Sequence, residues 1–123
     1  MMGDLTGRYA SFTKRVVDQV LAAGGDTASA VRRSVLSRAA RLGGGRDPAG
    51  GLGAGDDLGP GLAAYVDKVA RHAHQVTDED LTALQRAGSS DDALFEVTVA
   101  AALGAAVGRL ERGLAALRGE GRD

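Results

Sequence analysis

At 123 residues and 12.5 kDa, the chain has the usual size of one domain, which leaves no room for a second independent core. It has no cysteine, which excludes disulfides, thiolate metal sites and thiol redox chemistry within this chain. Its 15 basic and 16 acidic residues are spread along the sequence and give a net charge of −1, so no basic footprint for nucleic acid is present.

The N-terminal sequence and the longest apolar stretch bear on location. The sequence MMGDLTGRYASFTKR lacks the apolar core of a signal peptide. The longest uncharged stretch, residues 97–108, is shorter than a membrane span. These two observations predict a cytoplasmic protein with no membrane partner.

The first 42 residues predict two helices. Between residues 4 and 21 the larger apolar side chains lie three or four positions apart, which is typical of one helical face: Leu5, Tyr9, Phe12, Val16, Val20 and Leu21. A second helix is predicted to begin after a cap at Asp26 or Thr27 and to end at residues 43–45, which are all glycine. Its arginines are expected to point outward: Arg32, Arg33, Arg38 and Arg41.

Residues 43–59 separate these helices from the rest of the chain. The segment holds eight glycines and one proline, and so few apolar side chains cannot offset the entropy cost of ordering it. We therefore predict a flexible linker there, between an N-terminal helical pair (1–42) and a helical core (60–118) of one domain. The segment matches neither nucleotide-binding glycine motif, and the sequence predicts no cofactor.

Three further helices are predicted after the linker. Pro60 suits a first helical turn, and apolar residues then recur on one face as far as Val76. Thr77 and Asp80 resemble a capping box for a short helix that ends before Gly88. Ser89 or Ser90 can cap the longest helix, from about Asp91 to Arg118. No alternating strand pattern appears, so the predicted fold class is all-α with five helices.

The last helix has two apolar faces, one bulky and one small. The bulky face holds Phe95, Val99, Leu103, Ala106, Leu110, Leu114 and Leu117. The small face holds Val97, Ala100, Ala101, Gly104, Ala105 and Gly108. A helix that is apolar nearly all round is normally central or lies against a partner chain. We expect it at the heart of the fold or at a subunit interface, with residues 91–118 mediating homo-oligomer formation.

The run from Tyr65 to Leu117, YVDKVARHAHQVTDEDLTALQRAGSSDDALFEVTVAAALGAAVGRLERGLAAL, resembles the C-terminal half of the alkylhydroperoxidase-D-like and carboxymuconolactone decarboxylase-like family. The shared features are a helix, a short helix ending in an Ala-Gly step, an acidic capping segment and a long alanine-rich helix. The resemblance implies an all-helical, oligomeric fold.

The family's peroxidase branch uses C-x-x-C-x-x-x-H, and this chain departs from that motif. Alignment on Ala87-Gly88 puts Ala73, Val76 and Asp80 at the three motif positions. Alignment of the family histidine with His74 puts Asp67 and Ala70 at the cysteine positions instead. Disulfide exchange needs two thiols, so this chain alone is not a thiol peroxidase or disulfide reductase. A decarboxylase or isomerase needs only proton transfer, which the resemblance permits.

Ionisable residues are dense around the end of the third helix and the start of the fourth. Two imidazoles beside carboxylates could act as general acid and base, and the candidate catalytic residues are Tyr65, Asp67, His72, His74 and Asp80. The same charges also suit structural roles, as a surface helix pair between Asp67 and Arg71 and as first-turn acids. On a continuous helix His72 and His74 point about 200° apart, so no metal site is predicted.

Glu96 and the function as a whole leave alternatives open. Glu96 is either a buried carboxylate with a raised pKa or an ordinary solvated residue. Because no complete catalytic constellation is present, the favoured hypothesis is a non-redox assembly or regulatory protein. The alternative is a small-molecule-binding protein or an acid–base enzyme of the decarboxylase or isomerase type, built on the histidine and acidic cluster.

Overall fold

The computed structural model describes residues 2–22, 25–44 and 58–119, with side chains from residue 9 onward in the first helix. These ranges contain five α-helices and no strand, which confirms the all-α prediction for the part of the chain described. The helices are α1 (Met2–Ala22), α2 (Ser29–Leu42), α3 (Pro60–His72), α4 (Asp78–Arg86) and α5 (Asp91–Leu117), with a 3₁₀ turn at Ala73–Gln75. Most of the predicted linker, residues 45–57, lies outside the described residues.

Local capping signals set the ends of α4 and α5. The Thr77 side chain accepts the Asp80 N–H, and the Asp80 carboxylate accepts the Thr77 N–H, which completes the predicted capping box. Ser90 caps α5 by accepting the Ala93 N–H. Gly88 has a φ of 113° between the two helices, a conformation that favours glycine. The predicted boundaries in this region are therefore confirmed.

Two other predicted boundaries are wrong. The third helix ends at His72, four residues before Val76, because the chain tightens into the 3₁₀ turn. The N-cap of α2 is Ala28, which has no side-chain cap. Asp26 and Thr27, the predicted caps, instead make hydrogen bonds with residues of α5. Asp26 and Thr27 therefore bind residues that are distant in sequence and do not cap α2.

The central helix is α2. Four consecutive residues in its middle, 34–37, are buried, so it is covered on every side over that turn. Arg32, predicted to face solvent, is 4% exposed and donates to the backbone carbonyls of Val20, Leu21 and Thr27. The prediction was wrong for Arg32 because the last turn of α1 offers unsatisfied carbonyls beside it.

Glycine lets α2 and α5 pack with their backbones in contact. A Cβ at Gly104 would lie 2.3 Å from the Leu36 carbonyl oxygen, and one at Gly108 would lie 2.3 Å from that of Ala40. Both pairs advance in the same direction along the chain, so the two helices run parallel. The Gly-x-x-x-Gly spacing thus serves close helix packing inside this fold, a use of the motif known from helix pairs in membranes.

The remaining helices complete two clusters of buried side chains around this pair. The larger cluster joins α2 and α5 to α3 and α4: Val35, Ala39, Tyr65, Val66, Val69, Ala70, Leu84, Leu94, Val97, Ala100, Ala101 and Ala105. The smaller one holds α1 against α2 and α5: Val17, Leu21, Leu36 and Val107. Arg109 of α5 also donates to the Ala70 carbonyl in the last turn of α3. Tyr9 and Phe12 in the N-terminal half of α1 are exposed.

The two faces of α5 have different surroundings. Its small face is buried against α2, and the opposite face, which carries Phe95 and Leu117, is exposed. By length and composition α5 is the one helix of the described residues that could cross a membrane, with a mean hydropathy of 1.6 and 44% of that stretch buried inside the fold. A core helix with one wholly buried face has the same composition.

Candidate functional site

Asp67, a predicted catalytic carboxylate, forms an ion pair between α3 and α2. Its Oδ1 lies 2.5 Å from Arg38 Nε and its Oδ2 lies 2.9 Å from Arg38 Nη2, a two-pronged arrangement that suits a guanidinium. The hydrogen bonds from Arg38 are the largest cause of the lowered pKa of Asp67; desolvation opposes them, and the charges of Arg38 and Arg71 lower the pKa further. Asp67 is therefore held ionised and oriented towards α2.

Asp80, the second predicted carboxylate, completes the N-terminal cap of α4. Its Oδ2 accepts a hydrogen bond from Lys68 Nζ at 2.9 Å and one from the Thr77 N–H at 3.0 Å. The Lys68 bond is the largest cause of the lowered pKa of Asp80, followed by the Thr77 backbone bond. The carboxylate thus links the start of α4 to the middle of α3.

Tyr65 is buried in the larger cluster, with its hydroxyl directed at α5. The Tyr65 Oη lies 2.6 Å from Thr98 Oγ1, and Thr98 donates its single hydroxyl proton to the Leu94 carbonyl. Tyr65 is therefore the donor in its bond to Thr98. This hydroxyl serves helix packing and satisfies a buried polar group.

His72 and His74 lie at the surface, on either side of the break between α3 and the 3₁₀ turn. Both side chains are exposed, and their rings approach edge to face with centroids 6.2 Å apart. The break has brought the imidazoles onto one side of the chain, which a continuous helix would not do. Within the described residues no group of three or more histidines and carboxylates could hold a metal ion.

The structure does not assemble the five predicted residues into one cleft. Among Tyr65, Asp67, His72, His74 and Asp80, the ring contact between the two histidines is the one contact that the described residues show. Tyr65 reaches α5, Asp67 reaches α2, and Asp80 belongs to the start of α4. Their joint role in catalysis stays a prediction.

A second cluster, which we call the Glu96 junction, joins the α1–α2 connection to α5. Glu96 Oε2 accepts the Asp26 N–H at 2.8 Å, and Oε1 accepts the Thr27 N–H at 2.8 Å and the Thr27 hydroxyl at 2.5 Å. Arg32 Nη1 lies 3.7 Å from Oε1, and Ser90 donates to Asp26 at 2.9 Å. The junction holds the start of α2 at the first turns of α5.

Glu96 is neither a buried carboxylate with a raised pKa nor an ordinary solvated residue, so both predictions for it are wrong. The side chain is 21% exposed, and the pKa of Glu96 is lowered, first by the Thr27 hydroxyl and then by the two backbone N–H groups. Gly25 lies against it, since a Cβ there would come within 2.3 Å of the carboxylate. The sequence offered one local signal, an acidic residue between Phe95 and Val97, but its partners Asp26 and Thr27 lie about 70 positions away.

An exposed row of apolar and small residues runs along α5. We call it the outer strip: Phe95, Val99, Ala102, Ala106, Leu110, Gly113 and Leu117. Phe95 is 69% exposed and Leu117 66%, and a Cβ at Gly113 would meet no atom within 4 Å. Five members belong to the predicted bulky face. The other two residues of that face, Leu103 and Leu114, are half-buried, and Leu103 packs against the smaller cluster of buried side chains.

Comparisons were made with protein families, with curated proteins and with solved structures, and none of the three found a match to this chain. The resemblance to the alkylhydroperoxidase-D-like family therefore rests on residues 65–117 alone.

Proposed function

We propose that this chain is a non-redox assembly or regulatory protein that associates with further copies of itself through the outer strip of α5. The observation that carries the proposal is an exposed apolar stripe with no charged member from Phe95 to Leu117. It spans 23 residues, or about 33 Å of helix. Contiguous apolar surface of this kind typically marks an interaction site.

The predicted catalytic residues support this proposal by the roles that they already have. Tyr65, Asp67 and Asp80 each satisfy a partner from another part of the fold, and the two carboxylates are held ionised. A general base at neutral pH works best with a pKa near the pH of the solution. The lowered pKa values of these carboxylates run in the opposite direction, so the acid–base alternative gains no support from them.

The rest of α5 supports a protein partner in place of lipid. The small face of the helix is occupied by α2, Asp91 and Asp92 lie in its first turn beside Phe95, and its basic residues, Arg109 and Arg112, are confined to the C-terminal half. Helices that lie on membrane surfaces typically carry lysine and arginine beside the apolar face, because those side chains are attracted to anionic lipid. We extend the family resemblance to the same conclusion, since that family is commonly oligomeric.

Light scattering on size-exclusion fractions of the full chain tests the proposal. At micromolar concentration we expect a mass above 12.5 kDa. The Phe95→Ser variant should shift the mass towards the monomer, because it removes the most exposed aromatic of the strip. The matched control is Phe12→Ser, since Phe12 is the other phenylalanine and is 59% exposed on α1.

Two outcomes would contradict the proposal. One is a wild-type chain that stays monomeric at the highest soluble concentration. The other is a mass that falls with Phe12→Ser and not with Phe95→Ser, which would move the association surface to α1. Flotation with vesicles of phosphatidylcholine and phosphatidylglycerol tests the lipid alternative. If the wild type is monomeric and binds the vesicles, and the Phe95→Ser variant does not bind them, membrane association replaces self-association.

A further inference from the structure

We infer that two copies of the chain pair through their outer strips in antiparallel orientation, with Ala106 on the two-fold axis; this inference rests on the proposed function. The partner is a second copy of this chain. The observation behind it is the order of side-chain sizes along the strip, read from Phe95 to Leu117.

The spacing of the outer strip is the same in both directions from Ala106. Successive members lie 4, 3, 4, 4, 3 and 4 residues apart, so the strip reads identically from either end. With 3.6 residues per turn, all seven members fall within about a quarter of the helix circumference. A two-fold axis through Ala106 therefore superimposes every position of the strip on another position of the strip, as an isologous interface requires.

The sizes of the side chains then complement one another across that axis. Antiparallel pairing places Ala102 opposite Leu110 and Val99 opposite Gly113, so a small residue faces a larger one at these two levels, and Phe95 meets Leu117 at the ends. Parallel pairing would set Leu110 against Leu110 and Gly113 against Gly113, so two large side chains meet at one level and a gap is left at the other. Ala106 at the centre lets the two helices approach closely, and alternating large and small contacts fill space best.

Charge favours the same orientation. Asp91 and Asp92 lie in the first turn of α5, and Arg118 follows its last turn. The axis through Ala106 brings Arg118 of one helix to the level of Leu94 of the other, less than one turn from Asp91 and Asp92, whereas parallel pairing places acid beside acid. The helix dipoles also oppose each other favourably in the antiparallel pair. These charges fix orientation, and the apolar strip supplies the contact.

The size of the strip predicts a weak, reversible pair. A contact about 33 Å long and one helix wide buries several hundred Å² on each chain, which lies at the low end of specific interfaces. The pair should therefore form in a concentration-dependent way in the micromolar range or above.

Single-cysteine crosslinking tests the inference, because the chain has no cysteine of its own. Three variants at exposed positions of the strip are oxidised under mild conditions: Ala106→Cys, Val99→Cys and Gly113→Cys. Ala106→Cys reports the face, since Ala106 meets its own copy in either orientation. Gly113→Cys reports orientation, since it meets itself in a parallel pair and Val99→Cys in an antiparallel pair. Ala83→Cys, exposed on α4, measures random collision.

We expect disulfide-linked dimers of Ala106→Cys to form about tenfold or more faster than those of Ala83→Cys, since the pair raises the local thiol concentration. A mixture of Val99→Cys with affinity-tagged Gly113→Cys should give the heterodimer. Gly113→Cys alone should crosslink no faster than the control. Light scattering on each variant before oxidation checks that the fold and its association survive.

Each other result overturns a defined part of the account. Rapid crosslinking of Gly113→Cys with itself would establish parallel pairing, which refutes the inference and leaves the proposed function standing. An associated chain in which Ala106→Cys crosslinks no faster than the control would place the interface on another surface. A monomeric chain at every concentration would refute the inference and the proposed function together.

Discussion

The hydrogen-bond partners of Glu96 determine the direction in which the pKa of its carboxylate shifts. Glu96 sits among apolar neighbours on α5, yet its two oxygens accept three hydrogen bonds from Asp26 and Thr27. Bonds to the charged form stabilise that form, so the pKa is lowered even though the side chain is only 21% exposed. Glu96 therefore fastens the α1–α2 connection to α5 in its ionised state.

The Glu96→Gln variant should be less stable than the wild type at neutral pH and less sensitive to acid. A carboxylate with a lowered folded pKa contributes stability that is fully present above its ordinary pKa, about 4.3 for glutamate. That contribution is lost as the pH falls through the lower folded value. Thermal unfolding of both proteins between pH 7 and pH 3 should give curves that converge on acidification.

The matched control is Glu79→Gln, which changes an exposed glutamate in the first turn of α4. At neutral pH its free energy of unfolding should change by less than that of Glu96→Gln, because no hydrogen bond between distant segments is lost. Parallel curves for Glu96→Gln and the wild type down to pH 3 would show that the Glu96 junction does not titrate as described.

The ion pair between Arg38 and Asp67 should show measurable coupling in a double-mutant cycle. Its side chains are 26% and 35% exposed, and two parallel hydrogen bonds fix the geometry. We expect Arg38→Gln and Asp67→Asn to couple by about 0.5–1 kcal/mol, a value discounted for solvent screening. The Lys14 and Asp18 pair, 77% and 58% exposed, should couple by no more than about 0.3–0.5 kcal/mol. Equal coupling energies in the two cycles would show that the Arg38–Asp67 pair contributes no more to stability than an exposed ion pair.

Tyr65 and Tyr9 offer a matched comparison, since they are the two tyrosines of the chain. Tyr65→Phe removes the hydrogen bond to Thr98 within a buried cluster and should lower the free energy of unfolding by about 1 kcal/mol. Tyr9 is 42% exposed, and Tyr9→Phe should change it by less than about 0.5 kcal/mol. Urea unfolding measures both. A neutral Tyr65→Phe would leave the hydroxyl available for a role other than packing.

At the scale of helices, the sequence predicted what local chemistry determines. The capping box at Thr77 and Asp80, the Ser90 cap and the left-handed Gly88 depend on residues within one turn, and all three appear as expected. Contacts between segments distant in sequence could not be predicted from local patterns. The sequence could not show that Asp26 and Thr27 bind Glu96, or that the last turn of α1 would bury Arg32.

The glycines of α5 separate the two faces of that helix in one experiment. Gly104→Ala places a Cβ 2.3 Å from the Leu36 carbonyl oxygen, a backbone atom, so α2 and α5 must move apart. We expect a loss of about 1–3 kcal/mol in the free energy of unfolding. Gly113→Ala meets open space and should raise the stability by up to about 1 kcal/mol through helix propensity.

Chemical denaturation of both variants at one low protein concentration gives the comparison, because association contributes least there. Opposite signs are the expected result. A tolerated Gly104→Ala would mean that the two helices do not pack with their backbones in contact, and the assignment of the buried and outer faces of α5 would fail with it.

For the whole molecule, periodicity predicted two apolar faces on α5 but not which one the fold would bury. The answer depends on α2, because the carbonyl oxygens of its buried residues Leu36 and Ala40 lie against Gly104 and Gly108. The five candidate catalytic residues are close in sequence, yet Tyr65, Asp67 and Asp80 each bind a different partner, and within the described part of the chain only the two histidine rings meet. The bulky face is then left outside, and self-association is our account of why it is apolar.

Sedimentation equilibrium of the full chain over a range of micromolar concentrations is the direct test of self-association. We expect a mass that rises with concentration from 12.5 kDa towards twice that value, with the rise suppressed in Phe95→Ser and retained in Phe12→Ser. A mass that stays at 12.5 kDa throughout the range would contradict it.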